Sequence, residues 1–447
     1  MLPDNWNTMT PDQKLEARLA AWASTEGKPF ESPKVAEGYA RRAKRFADVL
    51  MLKQPDSVPV TLITGDYVAR YAGISQGDMF YDYDKTVQAH LKFYEDFEVD
   101  YSLISNFMPG KVFDTLGYKL YRLPGHQIAA TQSFQFVEGE YMTVDEYDAL
   151  IANPEGWLNR VYTPRVMSNL GGLAFTPAAL GTTELPFVPL VMMLGYSLPP
   201  MQAALKTIID AAQQLGEWFG ANGQIAATSL SKLGLPATFG GFTKVPFDYL
   251  GDSLRGTRGI MTDLYRRPEK VLAAVERLIP LAIQMGLDAA NGSGNPFILF
   301  VLHKGADGFM SNADFEKYYW PGFKAVMEGL IQEGCVPFNF VEGGYNQRLD
   351  IIANAGLPAG KTLWLFDQTD MAEAKKKIGP WAAIGGNVPA SLFKAGTPAQ
   401  MEDYVKKVMD TCAPGGGYFI SPGSVIDVAE AENMHTYLKV ARECGAY

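Results

Sequence analysis

Cysteine is scarce in this sequence. Its 447 residues include three cysteines, Cys335, Cys412 and Cys444, and no Cys-x-x-Cys or His-x-Cys pair occurs. A disulfide-stabilised scaffold contains more cysteines, and a thiolate metal knuckle spaces them more closely. We therefore expect free thiols in a reducing cytoplasm.

Long hydrophobic runs and clusters of basic charge are also missing. No apolar run reaches the roughly 18 residues that a membrane-spanning helix needs. The N-terminus has acids and an amphipathic helix pattern where a signal peptide would have an apolar core. The largest basic clusters are "RRAKR" (41–45) and "KKK" (375–377), and the formal net charge is −10. These features exclude nucleic-acid binding and membrane adhesion as expected functions, and they favour a cytoplasmic protein.

Apolar strands alternate with amphipathic helices along the chain, which is the pattern of a parallel sheet. The strand "SVPVTLIT" (57–64) is followed by a helix over 82–97 and the strand "VDYSLIS" (99–105). From residue 262, five helix–strand repeats end in the strands 296–303, 336–342, 361–367, 381–387 and 417–423. With a further strand within 220–242, these predict an α/β fold, the (β/α)8 TIM barrel. A doubly wound open sheet is the alternative, but no Gly-rich dinucleotide loop follows any strand.

The predicted barrel carries an extension and two insertions. Residues 1–56 are expected to form an N-terminal helical extension, and residues 57–447 a single barrel domain. The first insertion, at about 107–150, alternates aromatic and turn residues, which predicts a hairpin over the barrel mouth. The second, at about 160–250, is helical with Gly/Pro-rich interruptions, which is typical of lids and pocket walls.

Polar side chains end nearly every late strand, and in such barrels the carboxyl ends of the strands form the active site. Each is by itself more often a turn or cap residue, but several in series favour a site. Glu342 is the strongest candidate, because an unpaired buried carboxylate is costly and Gly343 and Gly344 leave room for a ligand. The catalytic candidates are His303, Glu342 and Asp367. The candidates for substrate binding are Asn106, Asp307, Asn339, Tyr345, Asn387 and Ser424.

Several late motifs resemble the uroporphyrinogen decarboxylase superfamily. They include "PFNFVEGGYNQRLDII", "FDQTDMAEAKKKIG" and "GGNVPASLFKAGTP". The resemblance is strong over about 260–445 and looser over the first two predicted strands. It implies a barrel and one of two chemistries, porphyrinogen decarboxylation or cobalamin-dependent methyl transfer.

The resemblance favours methyl transfer over decarboxylation. Family decarboxylases carry an Arg-Gln-Ala-Gly-Arg loop after the first strand and an Asp after the second. Here the first strand is followed by "GDYVARYAGI", and the second ends in Ser105 and Asn106. A substrate with eight carboxylates therefore has no evident basic clamp. A decarboxylase stays as the alternative, and a non-catalytic ligand-binding relative as a second alternative.

The family's thiol methyltransferases hold zinc with a His-x-Cys pair and a later Cys. Those positions fall on Phe340, Glu342 and Ser424, so the family's zinc ligands are absent here. The resemblance then implies an O-demethylase type of methyltransferase. It would move a methyl group from a small methylated compound, such as a methoxylated aromatic, to cobalamin that is free or carried by a corrinoid-binding protein. A homodimer is compatible with this assignment.

In such a reaction the oxygen that loses the methyl group must be stabilised. Glu342, with a pKa raised by its apolar strand end, can protonate that oxygen, and His303 is the second candidate. Alternatively Glu342, His303 and Asp367 hold a metal ion through hard ligands, and the metal stabilises the oxygen. We expect Glu342, His303 and Asn387 to share one cavity at the barrel rim.

Overall fold

The structure, a computed structural model, describes residues 3–103, 108–177 and 187–447. After a 3-10 turn at Trp6–Thr8 it begins with two helices, α1 (Pro11–Ala23) and α2 (Pro33–Leu50). Both start at a capping hydroxyl followed by proline: Thr10 accepts from the backbone N–H of Gln13, and Ser32 accepts from that of Val35. Such residues satisfy the free N–H groups of a first helical turn, and they place the start of each helix.

Eight strands lie in the described part of the chain. They are β1 (Tyr121–Arg122), β2 (Gln135–Phe136), β3 (Gly241–Thr243), β4 (Phe297–Leu302), β5 (Val336–Val341), β6 (Leu363–Phe366), β7 (Ala383–Gly385) and β8 (Tyr418–Phe419). The first two form an antiparallel hairpin, and β3 to β8 form a parallel sheet in chain order. Strand β5 is buried at all six positions, which explains its nearly continuous apolar run.

Backbone pairing continues past both edges of this sheet. Val60 bridges Ile420 after β8 in a parallel sense, and Ser102 bridges Ala237 before β3. The N–H of Asp100 donates to the carbonyl of Val60 at 2.9 Å and connects these two outer segments. The pairing therefore passes through eight segments in a ring. This arrangement confirms the predicted α/β barrel, although the first two predicted strands are reduced to isolated bridges.

The remaining α-helices surround the strands or belong to the excursion between the second and third barrel segments. They are α3 (Tyr67–Ala72), α4 (Gln76–Tyr81), α5 (Tyr83–Asp96), α6 (Gly110–Leu116), α7 (Tyr147–Ala152), α8 (Pro154–Trp157), α9 (Thr163–Val166), α10 (Phe187–Met192), α11 (Pro199–Leu233), α12 (Pro246–Asp248), α13 (Gly256–Arg266), α14 (Pro268–Ser293), α15 (Asn312–Asp314), α16 (Trp320–Gln332), α17 (Leu349–Ala353), α18 (Met371–Lys377), α19 (Ala390–Ala395), α20 (Pro398–Cys412) and α21 (Ala431–Gly445). Among the described residues, no helix is both long and apolar enough to span a membrane.

The N-terminal extension closes one end of the barrel. The ring of Phe46 in α2 lies 4.6 Å from that of Tyr101, 5.0 Å from that of Phe297 and 5.8 Å from that of Phe419, measured between centroids. Phe297 is the first residue of β4, so these contacts lie where the strands begin. Burying such rings removes a large apolar area from water. The barrel interior is therefore sealed at this end and opens at the carboxyl ends of the strands.

Candidate active site

The ends of two neighbouring strands bring His303 and Glu342 together. His303 follows β4 and Glu342 follows β5, and the two strands pair in parallel from Phe297 to Leu302. The Nε2 atom of His303 lies 3.5 Å from Oε2 of Glu342. Both side chains line a cavity of about 500 Å³ inside the barrel. These two predicted catalytic residues therefore share one site.

The other ring nitrogen of His303 binds a residue that the sequence did not single out. Nδ1 of His303 lies 2.6 Å from Oδ2 of Asp252, which lies in the π-helical segment Tyr249–Leu254 after β3. Because an ionised carboxylate only accepts hydrogen bonds, Nδ1 carries the proton and donates it. This fixes the ring so that Nε2 faces Glu342.

Two lysines complete the surroundings of Asp252. Nζ of Lys244 lies 2.7 Å from Oδ2, and Nζ of Lys304 lies 3.2 Å from Oδ1. Burial works against ionisation of Asp252, but the hydrogen bond from His303 and the charge of Lys244 outweigh it and lower the pKa. Burial likewise works against a charged His303, but the hydrogen bond to Asp252 and its charge raise the pKa of the imidazole. The pair therefore favours an ionised acid and a protonated histidine.

The surroundings of Glu342 favour its protonated form, whereas those of Asp252 favour the ionised form. Burial in the cavity raises the pKa of its carboxyl, the charge of His303 works against this rise, and the nearby Asp367 adds to it. A carboxyl group of this kind keeps its proton to a higher pH than a solvated one, as a general acid must. Behind it Gly343 has a φ of +77°, a left-handed turn that favours glycine. The glycine predicted to leave room for a ligand is thus required by the turn itself.

A second buried carboxylate holds the backbone at the end of β4. Asp248, which is fully buried, accepts hydrogen bonds from the N–H of His303 at 3.2 Å and of Lys304 at 2.9 Å. The hydroxyl of Tyr319 donates to it at 2.9 Å. Burial raises its pKa, and the negative charge of Asp252 adds to this effect. These contacts position the histidine, and Asp248 itself does not line the cavity.

The structure does not bring the predicted Asp367 and Asn387 into the cavity lining. Oδ2 of Asp367 accepts the N–H of Gly343 at 3.1 Å, beside the turn after Glu342. Burial raises the pKa of Asp367, and the hydrogen bond from Gly343 opposes this. Nδ2 of Asn387 donates to the carbonyls of Asp367 and Thr369, both at 2.8 Å. Both residues tie the loops after β5, β6 and β7 together, so the expectation of Asn387 inside the cavity is corrected.

Asn339, Tyr345 and Asp307 also lie away from the cavity lining. Asn339 points towards the helix layer, where its Nδ2 lies 3.6 Å from Sδ of Met327. Its neighbours Phe338 and Phe340 line the cavity, and successive side chains of a strand face opposite sides. Asn339 therefore faces away from the cavity, and substrate binding by this residue stays a prediction.

Tyr345 is fully buried, with its ring edge-on to Phe315 at 6.3 Å. Asp307 accepts the N–H of Gln347 at 3.1 Å, and its Oδ1 lies 3.7 Å from Nε of the buried Arg348. These contacts give both residues a role in packing the loops. Ser424 is half-buried and is not among the lining residues, although its neighbour Val425 is. Asn106 lies outside the described residues.

The predicted metal set is not assembled. Across residues 3–103, 108–177 and 187–447, no group of three or more His, Cys, Asp or Glu side chains is arranged to hold a metal ion. Of the three positions where the family's zinc ligands would fall, Phe340 and Ser424 offer no ligand of that kind, and Glu342 has no two further ligands arranged with it among the described residues. The residues present therefore do not fit a catalytic zinc.

Comparisons with known proteins place the chain in a family. The model of the uroporphyrinogen decarboxylase (URO-D) family matches residues 201–444, more than half of the chain. Uroporphyrinogen decarboxylase of Sodalis glossinidius (strain morsitans) is 26% identical over 202 residues, which are 44% of this chain and 55% of that protein. The Salmonella dublin enzyme is 24% identical over 176 residues, 39% of this chain and 48% of that protein. The chain thus spans about half the length of the curated relatives it matches.

A solved structure resembles the whole fold. A methyltransferase from Methanosarcina mazei superposes with a TM-score of 0.57 and 13% sequence identity, over 91% of this chain and 98% of that one. At this identity the similarity concerns the fold. The match to the family model over more than half of the chain leads to one conclusion: the chain belongs to the uroporphyrinogen decarboxylase family.

Proposed function

We propose that this protein moves a methyl group from the oxygen of a small methylated compound, such as a methoxylated aromatic, to a corrinoid. The observation that carries the proposal is the chain of contacts Asp252–His303–Glu342 at the rim of a cavity walled mainly by apolar side chains. The similar protein from Methanosarcina mazei is a methyltransferase, which agrees with it.

The chemistry requires a nucleophile and an acid. A reduced corrinoid, free or on a partner protein, supplies the nucleophile that accepts the methyl group. The carbon–oxygen bond breaks, its electron pair stays on oxygen, and a proton must reach that oxygen to give a hydroxyl product. Glu342 supports this step, because its raised pKa keeps a proton available at the cavity rim.

His303 restores the proton that Glu342 gives up. Its Nε2 faces Oε2 of Glu342 at 3.5 Å, and Asp252 favours the protonated form of the ring. Asp252 itself stays ionised, so it orients the imidazole and does not take up the transferred proton. Proton transfer of this type contributes roughly 10²–10⁴-fold to a rate. No metal ion enters this scheme.

A corrinoid-binding partner needs a surface beside the barrel mouth. Helix α11 has 35 residues, about 52 Å at 1.5 Å per residue, and its C-terminus at Gly234 leads to the start of β3. Its N-terminal end therefore lies on the mouth side. Next to that end Phe187, Leu190 and Leu194 are each more than 60% exposed. Exposed apolar groups of this size are typical of protein contacts, and they support docking of the partner here.

Decarboxylation of a porphyrinogen is the second candidate, and the match to the family model over 201–444 favours it. A polyanionic substrate needs cationic partners. Among the described residues that line the cavity, Lys244 is the single lysine or arginine, and its Nζ is bound to Asp252. Methyl transfer is therefore the better supported function.

A spectroscopic assay tests the proposal. Purified protein is mixed with cobalt(I) cobalamin and a panel of methoxylated aromatics, and the corrinoid spectrum is followed with time. We expect conversion with at least one donor, and no conversion without protein. Conversion by no donor, combined with release of CO2 from uroporphyrinogen, would replace the proposal by the second candidate. Conversion by no donor without CO2 release would favour a non-catalytic relative.

A further inference from the structure

We infer that the cavity accepts a neutral, largely apolar substrate longer than one aromatic ring, with its methyl-bearing end at the rim. The reacting group rests on the proposed function. The length, polarity and orientation of the substrate are inferred from the cavity itself. The proposed reaction and the inferred substrate can therefore be refuted separately.

The cavity is too long for a single ring. On β5 its wall includes Phe338, Phe340 and Glu342, three successive inward positions. Four residues of strand at ~3.3 Å each span about 13 Å, or about 10 Å along the axis of a barrel whose strands tilt by ~40°. Neighbouring β4 contributes the same depth through Leu299, Val301 and His303. The cavity therefore runs from the rim well into the barrel.

The volume leads to the same conclusion. The cavity measures about 500 Å³, within the ~300–1,000 Å³ that is usual for sites binding drug-sized ligands. Methoxybenzene has eight heavy atoms, which at the roughly 30 Å³ that water takes per heavy atom in the liquid fill at most about 240 Å³. Less than half of the space would be filled. A second ring, with six more heavy atoms, would fill most of the remainder.

The deep part of the cavity offers apolar contact. Phe239, Phe338, Phe419 and Leu365 line it, together with Leu299 and Val301. Two of the threonines in the wall direct their hydroxyls away from the cavity. Thr238 donates to the carbonyl of Ser102 at 2.9 Å, and Thr243 donates to that of Ala282 at 2.5 Å. Their polar atoms are thus already paired, and an apolar ligand body meets little unpaired polarity.

An anionic ligand would find little to neutralise it. Lys244 in the wall is already paired with Asp252 at 2.7 Å, and so is His303 at 2.6 Å. Glu342, when ionised, repels an anion. Moving a carboxylate out of water without a partner is unfavourable, so anionic compounds should bind worse than neutral ones of equal size.

The closed end of the barrel sets the orientation. Phe46 of the N-terminal extension packs behind Phe338 and Phe419, at centroid distances of 6.4 and 5.8 Å. The ionisable pair His303 and Glu342 lies at the opposite, open end. A long apolar ligand therefore buries its body towards Phe46 and presents its methoxy oxygen to Glu342.

Binding measurements without corrinoid test this inference. The probes are methoxybenzene, 4-methoxybiphenyl and 4′-methoxybiphenyl-4-carboxylate, and affinity is measured by titration calorimetry on the full chain. We expect 4-methoxybiphenyl to bind at least tenfold more tightly than either of the others. Equal or tighter binding of methoxybenzene or the carboxylate, or no binding of any probe, overturns the inference.

A variant that shortens the cavity gives an independent readout. Val301→Phe adds bulk to the cavity wall and should weaken 4-methoxybiphenyl binding at least tenfold while changing methoxybenzene less than threefold. Val428→Phe, at a side chain that is 43% exposed, is the matched control and should change neither. An equal loss of both ligands in Val301→Phe contradicts the inference. Selective binding without any methyl transfer would leave it intact and remove the proposed function.

Discussion

His303 and Asp252 share a 2.6 Å hydrogen bond, although 51 residues separate them in the chain. The bond joins the end of β4 to the segment after β3, and it leaves Nε2 of the same ring 3.5 Å from Glu342. One histidine therefore connects an ionised carboxylate with a carboxyl group whose pKa burial raises. Two acids whose pKa values are driven apart are characteristic of acid–base sites.

Replacing Glu342 by glutamine removes the acid and keeps the shape of the side chain. If Glu342 protonates the departing oxygen, turnover should fall by roughly 10²–10⁴-fold. The melting temperature should stay nearly unchanged, because the side chain lies at the rim, where it is 41% exposed. Corrinoid spectra and thermal melts measure the two effects. Glu443→Gln, at an exposed position on α21, is the control with full activity. Retained activity in Glu342→Gln would show that another group supplies the proton.

Replacing Asp252 by asparagine should move the pH dependence of the reaction. The carboxylate raises the pKa of His303, so the imidazole stays protonated to a higher pH than a free histidine. Activity that needs this proton is complete below the pKa and is lost as pH rises through it. In Asp252→Asn the hydrogen bond and charge that raise the pKa most are lost, while burial and the charges of Asp248 and Glu342 remain, so the alkaline loss should begin at a lower pH.

Two measurements check this shift. NMR titration follows the His303 ring directly, and the pH profile of turnover reports its effect on the reaction. Asp403→Asn, at an exposed position on α20, is the control with an unchanged profile. The same substitution removes the carboxylate that Lys244 and Lys304 share. A thermal melt is therefore recorded with the titration to check that the variant is folded. An unaltered ring pKa in a folded Asp252→Asn protein would refute the orienting role.

Zinc should be dispensable. The family's histidine position holds Phe340 and its thiolate positions hold Glu342 and Ser424, and across the described ranges no three suitable side chains converge on a metal ion. We expect protein purified without chelator to contain zinc far below one equivalent per chain. Dialysis against a chelator should then leave the rate of methyl transfer unchanged. Stoichiometric zinc whose removal abolishes turnover would revive the metal alternative built on Glu342, His303 and Asp367.

The late half of the barrel was predictable because its strands are buried on both faces. Apolar runs, interrupted only by Asn339, mark β4 and β5, and the strand order then makes the residues after them neighbours. This is why His303 and Glu342 could be paired from the sequence. Segments 57–64 and 99–105 have the composition of strands, but single backbone bridges replace regular pairing in the structure.

The site residues that the sequence analysis missed follow β3, which is a very short strand. Strand β3 has three residues, Gly241–Thr243, and no apolar run distinguishes it. Without its position, Lys244, Asp248 and Asp252 could not be recognised as residues after a strand end. The π-helical turn that carries Asp252 has no sequence signal of its own. The sequence "FDYLGDS" shows only two acids four residues apart, which are more often solvated.

The orientation of Asn339 differs between the structure, which places it outside the cavity, and the sequence-based prediction, which made it a substrate-binding residue. Side chains alternate along β5, so an inward Glu342 requires Phe340 and Phe338 inward and Asn339 outward. Asn339 is fully buried, and its Oδ1 has no hydrogen-bond partner among the described residues. A buried acceptor of this kind costs about 1–3 kcal/mol.

Asn339→Leu removes it at similar size, so stability should stay constant or rise by about 1 kcal/mol, with KM unchanged. Chemical denaturation and substrate titration measure both, and Val341→Asn, which buries a new amide on the same outward face, should instead destabilise the fold. A large rise in KM in Asn339→Leu would return Asn339 to the substrate site.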